Sequence, residues 1–251
     1  ERAVRAAGRQ PGLDLVDRAL EELAAQAEAG GKDLPDVRLV RVGAQSVVLD
    51  LGAPADQGIA PFVATDPFRW VLSAELLPAE APVRPRAFPG LVTLGVSGSE
   101  TVLVNLESVG TLAVTGPAEA AADVLRGFAA DLAFGPASTQ TEQVLCVADT
   151  EIAEAVEAGG IAVEEDPARV TRALTVRLAA AGNRAGAVDP LSVDPLLIVL
   201  CDQELDVHVP PRSGCALVTT VAGSPAGATL VLHDAASALL LPERERLSPQ
   251  H

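Results

Sequence analysis

Lysine is almost missing from this chain: Lys32 is the only one among 251 residues. Any phosphate site beyond residue 32 must therefore do without an ammonium group. Methionine and tyrosine are absent, and Trp70 with five phenylalanines brings the aromatic share to only 2%. Burial falls to Ala, Val and Leu, and the preference for arginine over lysine points to a high-GC genome. The three cysteines, Cys146, Cys201 and Cys215, each sit in an apolar run without C-x-x-C spacing. They read as buried free thiols in a reducing compartment rather than metal ligands or a redox pair. His208, His233 and His251 are too dispersed to complete a metal site, and no Ser/His/Asp or Cys/His set can be assembled. The sequence thus predicts no catalytic residue and no metal site. Apolar runs such as Leu196-Leu-Ile-Val-Leu-Cys201 fall far short of the roughly 20 residues that cross a bilayer. No charged and apolar leader opens the chain. The lack of methionine even at position 1 reads as a segment of a longer polypeptide.

What is present is a strongly acidic, core-forming sequence. The formal charge is -16, and 49% of the residues are hydrophobic, enough for one large domain or two closely packed ones. Nucleic-acid binding requires Lys/Arg stripes to neutralise phosphates, and the arginines here are scattered singly or in loose pairs such as Arg84/Arg86 and Arg244/Arg246. They read as solvated surface charge, so a nucleic-acid partner is excluded.

Apolar spacing at Leu13, Val16, Leu20 and Leu23-Ala24, stopped by Gly30-Gly31, predicts an amphipathic helix over 13–29. Val37–Val42 and Ser46–Leu51 form a predicted hairpin, followed by short strands at 62–64 and 69–72. Four prolines from Pro78 to Pro89 predict an extended connector, which places a boundary between an N-terminal α+β region, 1–88, and an α/β domain, 89–251. A second hairpin spans 91–94 and 101–106. Its Gly95-Val-Ser-Gly98-Ser99 turn is not a nucleophile elbow, because position 99 is serine and strands flank it. From residue 111 strands and helices alternate, and the strands are continuously apolar: 144–148, 161–163, 196–201 and 215–221, with helices over 151–158 and 167–181 and a closing hairpin at 229–232 and 238–241. That is the pattern of a mostly parallel sheet covered on both faces. The acidic Glu164-Glu165-Asp166 caps the helix that Pro167 opens.

One segment carries a chemical question. Thr111-Leu-Ala-Val-Thr115 is a strand, Gly116-Pro-Ala-Glu-Ala-Ala-Ala-Asp123 a glycine turn, and Val124–Leu132 a helix. A phosphate loop reads G-x-x-x-x-G-K-[ST], its amides and lysine holding the phosphates and its hydroxyl holding magnesium. Counted from Gly116, the last three positions are Ala121, Ala122 and Asp123. An alanine cannot neutralise phosphate, and an aspartate at a helix start competes for the same amides. Ligands of open α/β sheets sit at the carboxyl ends of the strands, so Gly116, Asp149 and Asp202 are expected on one rim, Asp202 where a Walker-B-type carboxylate would stand.

The run Thr101–Gly116, Phe128–Ala133 and Val144–Ala148, with Cys215–Gly223 and Leu239–Pro242, resembles the central region of large actinobacterial proteins that also carry LysM repeats and a bacterial transcriptional activator (BTAD) domain. It is more distantly similar to FtsK-like motor ATPases, whose core runs strand, GKS loop, long helix, strand. The resemblance implies a degenerate P-loop NTPase-like α/β domain, cytoplasmic, within a membrane-tethered regulator. The resulting expectation is not an enzyme but a protein-interaction, scaffolding or regulatory domain. It needs no cofactor, has a protein partner or self-association, and makes no direct membrane contact. The alternative is a nucleotide sensor using Gly116, Asp149 and Asp202.

Overall fold

The structure, a computed structural model, describes residues 12–78, 87–134, 141–146, 161–182, 195–221, 226–234, 237–241 and 245–247. Helix α1 (Leu13–Ala29) matches its apolar spacing: Leu15, Val16, Ala19, Leu20, Leu23 and Ala27 are buried. It ends where Gly31 turns to φ 60 and the Lys32 amide donates back to the Ala27 carbonyl at 2.9 Å, a left-handed stop that glycine makes without steric cost.

Six antiparallel strands follow: β1 (Val37–Val42), β2 (Ser46–Leu51), β3 (Val63–Asp66), β4 (Arg69–Ser73), β5 (Leu91–Ser97) and β6 (Glu100–Asn105), in the order β3-β4-β2-β1-β6-β5. Burial alternates along β2 and β4, as a period-two pattern requires. Trp70 on β4 is buried and its indole N–H donates to the Ala55 carbonyl at 3.1 Å. The boundary expected after residue 88 falls inside this sheet, because β1 pairs with β6. Proline richness marks a connector, but the strands on either side of it share one ladder.

A four-residue helix, α2 (Leu106–Val109), then leads into β7 (Thr111–Thr115), α3 (Ala118–Phe134), β8 (Thr141–Cys146), β9 (Ala162–Val163), α4 (Pro167–Gly182), β10 (Leu196–Cys201), β11 (Cys215–Thr219), β12 (Ala228–Asp234), β13 (Ser237–Leu241) and β14 (Glu245–Leu247). These strands make one sheet in the order β14-β13-β12-β7-β11-β10-β8-β9. The six from β12 to β9 run parallel, β13 pairs antiparallel with β12, and β14 pairs antiparallel with β13. The fold is therefore α/β, a mostly parallel sheet with helices, preceded by an antiparallel sheet.

Continuous apolarity in β10 is explained by its two covers. Leu196, Ile198 and Leu200 join the core beneath α3, whereas Leu197, Val199 and Cys201 pack with Val170 and Leu174 of α4. Leu39, Val92, Leu94, Val102 and Val104 of the antiparallel sheet enter the α3 core too, so the two sheets share it. The opposite face of that first sheet is covered by α1.

The joint between the sheets is polar and bonded. Ser108 Oγ donates to Asp36 Oδ1 at 2.7 Å, Arg38 Nη2 of β1 to the Gly227 carbonyl just before β12 at 2.7 Å, and the Arg212 amide to the Glu107 carbonyl at 2.8 Å.

Candidate functional site

The carboxyl ends of the parallel strands put Gly116 after β7, Thr219 at the end of β11 and Asp202 after β10 on one rim. Asp149 lies outside the described residues, as does the helix expected over 151–158. Cys201 is level with Thr219, and Thr219 with Ala113. Gly116 thus stands three residues past that level and Asp202 one, two strands apart. Strand spacing and rise put their backbones about 12 Å from each other.

The Gly116 turn differs from the expected loop. Helix α3 starts at Ala118 rather than after Asp123, leaving Gly116 and Pro117 as the whole connection. The Ala121 amide already donates to the Pro117 carbonyl at 3.0 Å. The physical reason is local: proline has no amide to lose at a helix start, and Ala118-Glu-Ala-Ala-Ala122 is a run of strong helix formers. Glu119 in the first turn adds a favourable dipole interaction. The positions where GKS would stand are consequently helix: Ala121 is buried, and Asp123 is ion-paired with Arg126.

Gly116 itself is held at φ 142, and a Cβ built on it would lie 2.5 Å from the Leu232 carbonyl oxygen and 2.7 Å from Leu232 Cβ. Strand β12, whose Val231 is level with Thr115, continues past the end of β7 and closes this side of the turn. Glycine is required here for a close approach of protein backbone. Sequence reasoning missed Leu232, since nothing local to residue 116 announces a contact 116 positions away.

Asp202 is half-buried and precedes Gln203, whose amide donates to Cys201 Sγ at 3.3 Å. Among the described residues no group of three or more His, Cys, Asp or Glu is placed to hold a metal ion. Cys201 and Cys215 are buried free thiols. Burial pushes the Cys215 thiol up to about 11, against the lowering effect of Arg177 and with that of Glu107 and Glu142, so it is a poor nucleophile at neutral pH. Sequence reasoning also missed Glu107 at the sheet joint. Its carboxyl is raised above the usual range, first by burial, with Arg212 opposing and Asp36 reinforcing. No described helix is long and apolar enough to cross a membrane.

No family model matches the chain, and no curated protein matches it. Solved structures do. The cytoplasmic domain of the type VII secretion ATPase EccC from Thermomonospora curvata aligns over 80% of this chain and 37% of its own, at 11% identity and TM-score 0.48. ATPases 2 and 3 of the same protein, in complex with a signal sequence peptide, align over 81% and 57%, at 12% identity and TM-score 0.47. The pCW3 conjugation coupling protein TcpA, in monomer form with ATPγS, aligns over 93% and 95%, at 11% identity and TM-score 0.45. The chain spans well under two thirds of the two EccC structures.

These neighbours correct one expectation. The sequence pointed away from an enzyme, yet the structures that this chain is similar to are ATPases of secretion systems and a nucleotide-bound coupling protein. The absence of GKS from one turn was too narrow a basis for that reading. The likeness to LysM/BTAD proteins stays a resemblance of sequence, and the likeness to FtsK-like ATPase domains is one of fold.

Proposed function

We propose that this chain is a protein-association domain on an ATPase-type α/β fold, in which the turn after β7 is a packed joint rather than a phosphate cradle. The observation that carries the reading is the two-residue Gly116-Pro117 connection, closed against Leu232 and running straight into α3. A phosphate cradle needs several backbone N–H groups converging on open space. Here one flank of the glycine is occupied by β12, and the residues that follow, Pro117-Ala118-Glu119-Ala120, bring a carboxylate and no cation.

The second reading, a nucleotide-sensing site, is favoured by the shared rim of Gly116 and Asp202. Hydrogen exchange read residue by residue separates the two, with magnesium and ATPγS as the probe. The packed joint is expected to leave the exchange of the Ala118, Glu119 and Ala120 amides unchanged. Slower exchange confined to those three amides would overturn it in favour of the sensing site.

A further inference from the structure

The three cysteines are scattered in sequence, but the parallel ladder sorts them. Cys146 closes β8 and Cys201 closes β10; these strands are neighbours, and Cys146 is directly level with Cys201. The register also fixes their face. Val144 and Val199, level with each other two residues earlier, both pack in the core beneath α4, so the two-residue period puts Cys146 and Cys201 on that same face. Adjacent strands lie about 4.8 Å apart, within the roughly 4.4–6.8 Å of Cα separation that a disulfide spans. Cys215 stands outside this arrangement. It opens β11 level with Leu197, which rise along the strand puts about 13 Å from the level of Cys201, and β10 separates it from β8. Of the three cysteines, only one pair is placed to close.

The thiol of Cys201 is fixed at the strand end by a tight turn: the Gln203 amide donates to Sγ at 3.3 Å, and Sγ donates to the Gln203 carbonyl at 3.3 Å. As the last residue of β10 it is uncovered by local opening of the rim, without unfolding of the sheet. We propose that Cys146 and Cys201 are a redox pair that closes to a disulfide across β8 and β10 when the chain meets hydrogen peroxide. A peroxide oxygen bonds to the Cys201 sulfur as the O–O bond breaks and water leaves. The Cys146 sulfur then forms the S–S bond as the S–O bond breaks, and a second water carries off its proton. Two thiols lose two electrons and the peroxide gains them. A dithiol reopens the bond by exchange and is itself oxidised to a disulfide. In a reducing compartment such a bond is transient and redox-sensing. It ties two strands together one residue before Asp202, so oxidation is registered at the carboxyl rim.

Peptide mapping of the wild-type chain tests the pair. Trypsin separates the three thiols, leaving Cys146 in 127–169, Cys201 in 185–212 and Cys215 in 213–244. The folded, reduced chain is treated with hydrogen peroxide, capped with N-ethylmaleimide, digested and read by mass spectrometry. Peptide 127–169 is expected joined to 185–212 with the loss of both thiol hydrogens, and 213–244 is expected capped. Dithiothreitol added before the cap is expected to abolish the link. The same link is expected in C215S, within single chains on a non-reducing gel. Oxidation in urea is expected to scatter the links over all three cysteines, which shows that the selectivity belongs to the fold. Peroxide-treated folded chain in which Cys146 and Cys201 are both capped would overturn the pair. So would sulfinic acid at either position without a link, or links to Cys215 as frequent in the folded chain as in urea.

Discussion

Gly116 and Leu232 stand back to back: the missing side chain of one leaves the space that the carbonyl of the other fills. The relationship gives the glycine after β7 a packing role and makes it a site of predictable damage. Gly116→Ala must accommodate a methyl group 2.5 Å from that oxygen and a φ of 142 that L side chains rarely adopt. A loss of about 2 kcal/mol or more is expected from backbone strain and overpacking together. Urea denaturation measures it, and a change within 0.5 kcal/mol, roughly the range of ordinary surface substitutions, would show that β12 does not press on the turn.

Restoring the missing motif should not restore a phosphate loop. In A121G/A122K/D123S the new residues fall inside the first two turns of α3, where the Ala121 amide is already bonded. The expected result is a helix weakened by about 1 kcal/mol through the added glycine, with no change in the response of the melting temperature to magnesium and ATPγS relative to wild type. A stabilisation specific to the graft would mean that the turn can open.

Glu107 gives the chain a pH dependence of known sign. Its carboxyl is raised in the folded state, chiefly by burial. Its contribution to stability is full below the pKa of the unfolded chain, about 4.3, and is lost as pH rises through the folded value. Glu107→Gln removes the charge that burial penalises, so the variant is expected to exceed wild type in stability at pH 7 and to match it near pH 4. Denaturation midpoints at the two pH values check this. A variant less stable than wild type at pH 7 would show that the Arg212 partnership outweighs burial.

Leu174 anchors α4 to the far face of the sheet and is fully buried. Leu174→Ala should cost about 2–5 kcal/mol by lost transfer and a residual cavity, which thermal unfolding reads directly. A small loss would mean that α4 is not held by this contact.

Much of the fold was legible because it is local. The α1 helix and the β1/β2 hairpin follow from apolar period and turn glycines, and β10 from unbroken apolarity that only a two-faced cover explains. The start of α3 was misread because motif spacing was counted from Gly116 while the helix propensity of Ala118–Ala122 was passed over. The proline-rich stretch was read as a boundary, although pairing of β1 with β6 is a long-range fact that composition does not carry. Strand β14, Glu245–Leu247, is short and charged and gives no period to detect. Of the candidate residues, Gly116 follows β7 and Asp202 follows β10 in the fold, whereas Leu232, Gln203 and Glu107 enter only through three-dimensional contact.

The most direct measurement of the central claim is a backbone amide NMR titration of the chain with magnesium and ATPγS, following Gly116, Ala118, Glu119 and Ala120. A packed joint predicts that these four resonances keep their positions throughout the titration. Saturable shifts centred on them would contradict the account and restore the turn as a phosphate cradle.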